Sequence, residues 1–519
     1  MGDPGIVCTP AAGVFILVPK MGDMQTSGKQ IVVIGAGIGG LTTAALLTKA
    51  GFPVTVLEAQ TYPGGSAGTF FHQGYKFDAG ATLAGGFGPD GPHTRLAEML
   101  GIAWPVKPVD IAWQVHTDGT VISQWRDAQR WREERQQQFP GSEPFWRKQE
   151  LLADASWDLT SRFFPYPPDS LRDVLQMAAA MRPKTLAVLP YVFSRFAALS
   201  GARHTSARLK TFLDAQLLIS AQTTAGNASA LYGSAALDLP RRGVNYVTGG
   251  IGALAETLVA WIRANGGEVL YRQKVERIVA DTGGTWRVHT RRKQTFLASR
   301  IVVNSTPEGL EKLFAPESPN KTSPAATDLW GAFTLYLGLH ANRLPDLPAD
   351  HHQVVVDPLL ALGEGNSVFI SLSPQEDLTR APQGMRAATL SSHTRVDSWW
   401  QLKQNDYDAY QAKKAEYSAR LLSAAEIALP GIGRAVDLCL PGTPVTFEFY
   451  TQRPHGYVGG YPQTSLFRAR GPRTRYPGVW LVGDSVFPGQ STAGVTLGAM
   501  RTAASVLQSF EKVGNSVNN

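Results

Sequence analysis

The first strong pattern along the chain is an unbroken apolar run, Ile31-Val-Val-Ile34. It is followed by Gly35-Ala-Gly-Ile-Gly-Gly40 and by an Ala/Leu-rich stretch over 41–49 that stops at Gly51. A continuous β-branched run predicts a strand buried on both faces, and the stretch closed by glycine predicts a helix. A second run, Val54-Thr-Val-Leu57, predicts the next strand and ends at Glu58. The pattern returns in the middle of the chain. Gly249-Gly-Ile-Gly252 precedes a helix running to Arg263, with Asn265-Gly-Gly267 as its stop. Strands are expected over 268–271, 275–280 and 286–290, and at Ile301-Val-Val-Asn304 running into a turn. Between 316 and 445 the chain alternates at 332–339, 354–357 and 367–371, as antiparallel strands do, and 407–428 has a helical composition. Val479-Trp-Leu-Val482 predicts one more buried strand, with a helix over 493–510.

The first of these units carries chemistry. Gly35, Gly37 and Gly40 have the G-x-G-x-x-G spacing between a strand and a helix. Gly35 allows the tight turn, Gly37 lets the backbone approach a pyrophosphate, and Gly40 lets the helix pack close to the sheet. Glu58 closes the second strand, where a carboxylate can accept hydrogen bonds from both ribose hydroxyls of an adenosine. Strand, triad, helix, strand and acid in this order point to a dinucleotide. There is no arginine near Glu58 to take a 2′-phosphate.

Composition excludes other classes. Of 519 residues, 43% are hydrophobic and 18% charged, as in a globular chain. The 52 glycines show no Gly-X-Y period, which excludes collagen. A net charge of +7 leaves room for a basic patch without arguing for nucleic acid. Cys8 and Cys439 make neither a disulfide framework nor a metal cluster, so a reducing compartment is expected. The ten histidines show no metal spacing, and no metal is expected. Residues 1–27 read as a flexible leader. No stretch reaches 18 uncharged apolar residues. The span 174–213 has no acidic residue and mixes Arg182, Lys184, Arg195, Arg203, Arg208 and Lys210 with apolar side chains. That mixture suits contact with an anionic bilayer, and Pro183 and Pro190 prevent one regular helix.

The next segments carry a resemblance. Tyr62-Pro-Gly-Gly-Ser66 and Gly74-Tyr-Lys-Phe-Asp-Ala-Gly-Ala81 resemble the flavin-binding start of the amine oxidase and carotenoid desaturase superfamily. Residues 80–95, Arg453-Pro-His-Gly456 and Gly483-Asp-Ser-Val-Phe-Pro-Gly-Gln-Ser-Thr-Ala-Gly494 resemble bacterial C-3′,4′ carotenoid desaturases. The resemblance implies an α/β fold: a Rossmann-like FAD-binding domain of the amine oxidase/phytoene desaturase type with an inserted α+β substrate domain. It makes the dinucleotide FAD. Gly35, Gly37, Gly40, Glu58, Ala59, Gly64, Gly65, Ser66, Gly80, Ala81 and Val275 become its expected neighbours. So do Gly483, Asp484, Ala493, Gly494 and Val495, with Asp484 on the ribityl chain and the helix N-terminus against the flavin. The superfamily often has arginine where this chain has Ser66, so backbone amides must carry more of the phosphate binding. The implied FAD domain takes 28–100, 242–315 and 445–519, and the substrate domain 101–241 and 316–444.

The implied reaction is 3,4-desaturation at the end of an acyclic, often 1-hydroxylated, carotenoid, by hydride transfer to the flavin. The expected partners are the hydrophobic carotenoid, the inner face of the cell membrane, and a quinone or oxygen as electron acceptor. A carotenoid isomerase using reduced FAD, another phytoene or polyene desaturase, an amine oxidase and a non-enzymatic carrier remain alternatives. His93 and His455 lie in the resembling loops. Neither spacing nor chemistry assigns a catalytic residue.

Overall fold

The apolar runs separated by hundreds of residues meet in one parallel sheet. A computed structural model describes residues 29–162, 164–201, 206–315 and 329–517; the expected leader at 1–27 lies outside them. The sheet has five strands in the order Val479–Val482, Arg300–Asn304, Ile31–Ile34, Val54–Leu57 and Glu268–Leu270. All neighbours are parallel. Ile31, Val32 and Val33 are fully buried, as strands covered on both faces require. The helices Ile38–Lys49, Ala253–Ala264 and Ser491–Val517 cover one face and share a core with it.

The first helix starts at Ile38, three residues before the Ala/Leu stretch. The glycines form its first turn because the turn lies against the sheet. A Cβ at Gly40 would collide with the Gly35 carbonyl. The last helix likewise starts at Ser491 rather than 493. A three-stranded antiparallel sheet, Val275–Ala280, Trp286–Thr290 and Thr295–Ala298, follows the fifth strand in sequence.

A seven-stranded sheet forms the second body. Its order is Val436–Gly442, Trp330–His340, Met385–Arg395, Ser367–Leu372, His351–Val355, Ile111–Thr117 and Thr120–Trp125. Neighbours are antiparallel except Ile111–Thr117 beside His351–Val355, which run parallel. The strand period of two divides the faces. Phe333, Leu335, Leu337 and Leu339 point to a core shared with the helix Tyr407–Ala428. Ala332, Thr334 and Tyr336 point the other way, into a cavity.

Residues 174–213 are divided in the same manner. They fold as short pieces, among them Pro183–Leu186, Leu189–Tyr191 and Phe196–Leu199. Val188, Phe196, Leu199 and Phe212 are buried in a helical core, so these residues are core and not membrane-facing. Leu175, Leu186, Leu189 and Phe193 are exposed. Arg203 lies outside the described residues. Among the described residues, no helix is long and apolar enough to cross a membrane.

Three fully buried histidines make stability depend on pH. Burial pushes His93 down to about 3. Burial also pushes His351 down to about 3, with Arg386 and Arg380 adding to it. His352 is likewise at about 3, from burial and then from His116 and His351. An imidazole held neutral in the fold stabilises fully above its unfolded pKa of about 6.5, and that stability is lost as pH falls toward the folded value. Each such group changes stability by up to about 1.4 kcal/mol per pH unit in that window. Urea denaturation at pH 5 is therefore expected to show a clearly lower midpoint than at pH 7.5. An equal or higher midpoint at pH 5 would contradict these burial assignments.

Candidate functional site

A cavity of about 1,380 Å³ lies between the carboxyl ends of the parallel strands and the inner face of the seven-stranded sheet. This exceeds the roughly 300–1,000 Å³ of ordinary small-molecule pockets. Ligands of open parallel sheets bind beyond the strands' carboxyl ends. Here those ends supply Ile34, Leu57, Asn304 and Gly483 to the lining.

Most of the residues expected from sequence come together there. Gly35, Gly37, Glu58, Ala59, Gly64, Gly65 and Ser66 line the cavity, as do Gly80, Ala81, Val275, Gly483, Asp484 and Val495. Gly40, Ala493 and Gly494 do not. Gly40 is the helix-to-strand contact described above. Ala493 is fully buried, with its Cβ 2.8 Å from where a Cβ on Gly86 would stand. At Gly494 a Cβ would strike the Gly489 carbonyl. These three stand behind the lining and shape its walls.

The two N-terminal glycine turns are bonded to each other. Gly64 N–H donates to the Ala36 carbonyl at 2.8 Å, and Gly37 bridges Gly64. Gly35 has a φ of +96°, which favours glycine. Gly37 has an ordinary φ of −73°, but a Cβ there would collide with the Asn304 side-chain amide. With its amide oxygen accepting from Gly37 N–H at 3.1 Å and its nitrogen donating to the Val482 carbonyl at 3.3 Å, Asn304 ties three strand ends together. Ala36 N–H and Gln60 N–H donate to the two Glu58 oxygens at 2.7 and 2.8 Å. Each oxygen keeps a lone pair for a ribose hydroxyl. Burial pushes the Glu58 carboxyl up, against the pull of the Gln60, Ala36 and Ala59 amides.

At the other end, Arg453 donates to Asp484 at 2.6 Å in a mostly buried ion pair. Burial works against the Arg453 charge, but Asp484 and its surroundings outweigh it and raise the guanidinium's pKa. Arg453 Nη1 and Gln490 Oε1 are buried without a partner, and both residues line the cavity. A buried donor and acceptor left unpaired cost stability unless a ligand completes them. Ser491, Thr492 and Val495 bring the first turn of the last helix to the lining, where Ser491 Oγ accepts from Gly494 N–H at 3.1 Å. These features fit an extended dinucleotide with a polar ring system at this end.

Beyond it the cavity widens over the sheet. Trp113 donates to Gln216 at 3.0 Å, Gln216 to Gln353, and Gln353 to the Ala215 carbonyl at 3.1 Å. This chain of donors fixes a polar wall from three distant segments. His393 also lines the cavity, and burial pushes it down to about 4, so it is a neutral imidazole near pH 7. His93 does not line the cavity. Its Nε2 pairs with Thr492 Oγ1 at 3.2 Å, and its ring stacks on Phe87. His455 does not line it either; its carbonyl accepts from Trp400. Among the described residues, no group of three His, Cys, Asp or Glu side chains could hold a metal.

Asn304, Arg453, His393 and the glutamine wall are the parts that the sequence reading missed. Asn304 had a signal, since it ends a strand that runs into a turn. Arg453 stands inside a motif already singled out. The glutamine wall has no local signal, because its members are neighbours only in the fold.

Residues 38–507 match the family described as flavin containing amine oxidoreductase. The chain belongs to that family. It is an FAD-dependent oxidoreductase, as the family and the cavity's dinucleotide end together require. Among curated relatives, the chain is similar to the chloroplastic prolycopene isomerase of Arabidopsis thaliana. The two are 26% identical, over 91% of this chain and 81% of the relative. It is also similar to the zeta-carotene-forming phytoene desaturase of Myxococcus xanthus, at 25% identity over 92% and 93% of the two chains. Among solved structures, wild-type putrescine oxidase bound to putrescine has a TM-score of 0.60 at 15% identity, covering 92% of this chain and 99% of that one. An oxidoreductase from Methanosarcina mazei has a TM-score of 0.59 at 18% identity, covering 92% and 100%. These structures share the fold.

Proposed function

We propose that the enzyme is a carotenoid 3,4-desaturase, forming a C=C bond at the end of an acyclic, 1-hydroxylated carotenoid. One observation carries the choice of an uncharged substrate. Among the described residues, the cavity wall built by the seven-stranded sheet, including Trp113, Thr334, Tyr336, Gln353, Phe369 and His393, presents no carboxylate, lysine or arginine. An amine would enter as an ammonium ion, and a buried ammonium needs a partner. A polyene needs only shape and apolar contact, at about 25 cal/mol per Å² of buried surface. The relatives named for prolycopene and phytoene support the same class.

On this reading the glycine turns hold the dinucleotide phosphates, Glu58 the ribose, and Asp484 with the last helix the flavin end. Residues 28–100, 242–315 and 445–519 make the FAD domain, and 101–241 with 316–444 the substrate domain. When bound, FAD supplies the two-electron acceptor of the reaction. The sheet wall and the glutamine chain orient the carotenoid end and exclude water. His393, a neutral imidazole in that wall, is our candidate acceptor for the released proton. A quinone or oxygen regenerates the oxidised state.

The exposed Leu171, Leu175, Leu189, Phe193 and Phe467 form the rim that meets the inner face of the cell membrane. Phe193 and Phe467 stack at 5.0 Å while 85% and 65% exposed. An apolar pair held in solvent, with Arg195 bonded to the neighbouring Thr464 carbonyl, suits an anionic lipid surface.

A second reading, cis–trans isomerisation with reduced FAD, is favoured by the likeness to prolycopene isomerase. Expression in cells making a 1-hydroxylated acyclic carotenoid separates the two. Desaturation yields a red-shifted pigment lacking two hydrogens. A product of unchanged mass, formed with reduced flavin, identifies the isomerase and overturns the first reading.

A further inference from the structure

A second groove, of about 780 Å³, opens beside the Glu58 end of the cavity. Arg272, Lys274, Arg291, Arg292, Trp400 and Phe449 line it. It shares Ala59, Gln60, Lys274, Glu448 and Gln452 with the large cavity, so the two are continuous. Arg291 and Arg292 sit at the tip of the hairpin between Trp286–Thr290 and Thr295–Ala298, and Arg272 lies just before Val275–Ala280. Glu448 is the one carboxylate in the lining. Among the described residues, none of the four cations has a carboxylate within ion-pair distance. The glycine turns themselves offer backbone amides, and Ser66 beside them carries no charge.

A concave mouth whose charged groups are mostly of one sign, here four cations to one carboxylate, focuses field lines and raises the local concentration of counter-ions. We propose that this groove is the capture site for FAD: Arg272, Lys274, Arg291 and Arg292 draw the anionic pyrophosphate to the mouth from which the adenosine end seats at Glu58. The inference rests on the reading of Glu58 and the glycine turns as the dinucleotide end. The groove's contribution is to the rate of capture. The buried contacts around Glu58 and Asn304 set how long FAD stays.

Stopped-flow binding of FAD to the FAD-stripped full chain, followed by flavin fluorescence quenching, tests this. The Arg291→Gln/Arg292→Gln variant is expected to lower the association rate about ten-fold at low ionic strength. The difference disappears near 1 M salt, where the screening length is about 3 Å. The dissociation rate stays unchanged. An association rate equal to wild type at low salt overturns the proposal, as does a deficit that persists at 1 M salt. Flavin occupancy of protein synthesised with limiting FAD is a second readout that needs no stripping. Wild type is expected to fill faster than the variant, and equal filling overturns the proposal. If wild type itself takes up no FAD, the reading of the dinucleotide end falls with it; equal rates remove only the groove's role.

Discussion

Gly37→Val is expected to give folded protein that purifies almost free of flavin. The reason is steric and local. Gly37 has no unusual φ, so the backbone accepts a side chain, yet a Cβ there runs into the Asn304 amide. Asn304 cannot retreat, because it bridges Gly37 N–H and the Val482 carbonyl. Any shift of the Gly37 turn also moves Gly64, which is bonded to Ala36. Overpacking of this kind costs about 1–3 kcal/mol, and taken wholly from FAD binding it weakens affinity roughly 5- to 150-fold. Flavin absorbance per chain measures the loss, and circular dichroism checks the fold. A Gly37→Val protein with a full flavin complement would show that the dinucleotide does not pass over this turn.

Asp78→Ala is expected to cost about 3–5 kcal/mol of stability. Asp78 is buried with Arg380 in an ion pair at 3.0 Å. It also accepts from Thr69 Oγ1 at 2.7 Å and from Ile251 N–H at 2.9 Å. Arg380 in turn donates to the Lys76 carbonyl at 2.9 Å and reaches Tyr246 Oη, whose hydroxyl donates to Asp377 at 2.7 Å. The cluster joins the hairpin 69–78, the glycine turn 249–252 and the loop 377–380 that precedes a strand of the seven-stranded sheet. Removing the carboxylate leaves a buried guanidinium uncompensated. Asp78→Ala combined with Arg380→Met is expected to recover at least half of the loss in urea denaturation, since the stranded charge goes with its partner. A single-variant cost below about 1 kcal/mol would show that the cluster is not a tie between the two bodies.

The parallel sheet was legible because its strands are buried on both faces and therefore read as continuous runs. Four of the five follow from Ile31-Val-Val-Ile34, Val54-Thr-Val-Leu57, Ile301-Val-Val-Asn304 and Val479-Trp-Leu-Val482 alone. Helix starts were less legible. Glycine disfavours helices in general, yet Gly39 and Gly40 are helical here because only their missing side chains let the turn lie on the sheet. The 174–213 segment was legible only in part, for a related reason. Its composition is uniform, and burial of Phe196 or exposure of Phe193 depends on which side of a short helical piece meets the core. In the site, the glycine turns and Glu58 could be read from spacing because their partners are within 30 residues. The Trp113, Gln216 and Gln353 wall could not, since residues more than 100 positions apart become neighbours only when the sheet forms.

The central claim is that one extended FAD occupies the cavity and opens onto a chamber for an uncharged polyene. Anaerobic titration of the purified protein with a 1-hydroxylated acyclic carotenoid tests it most directly. One FAD per chain is expected, with its visible absorbance bleached in proportion to the carotenoid consumed. Protein that carries no flavin, or flavin that amines bleach and carotenoids leave untouched, would contradict it.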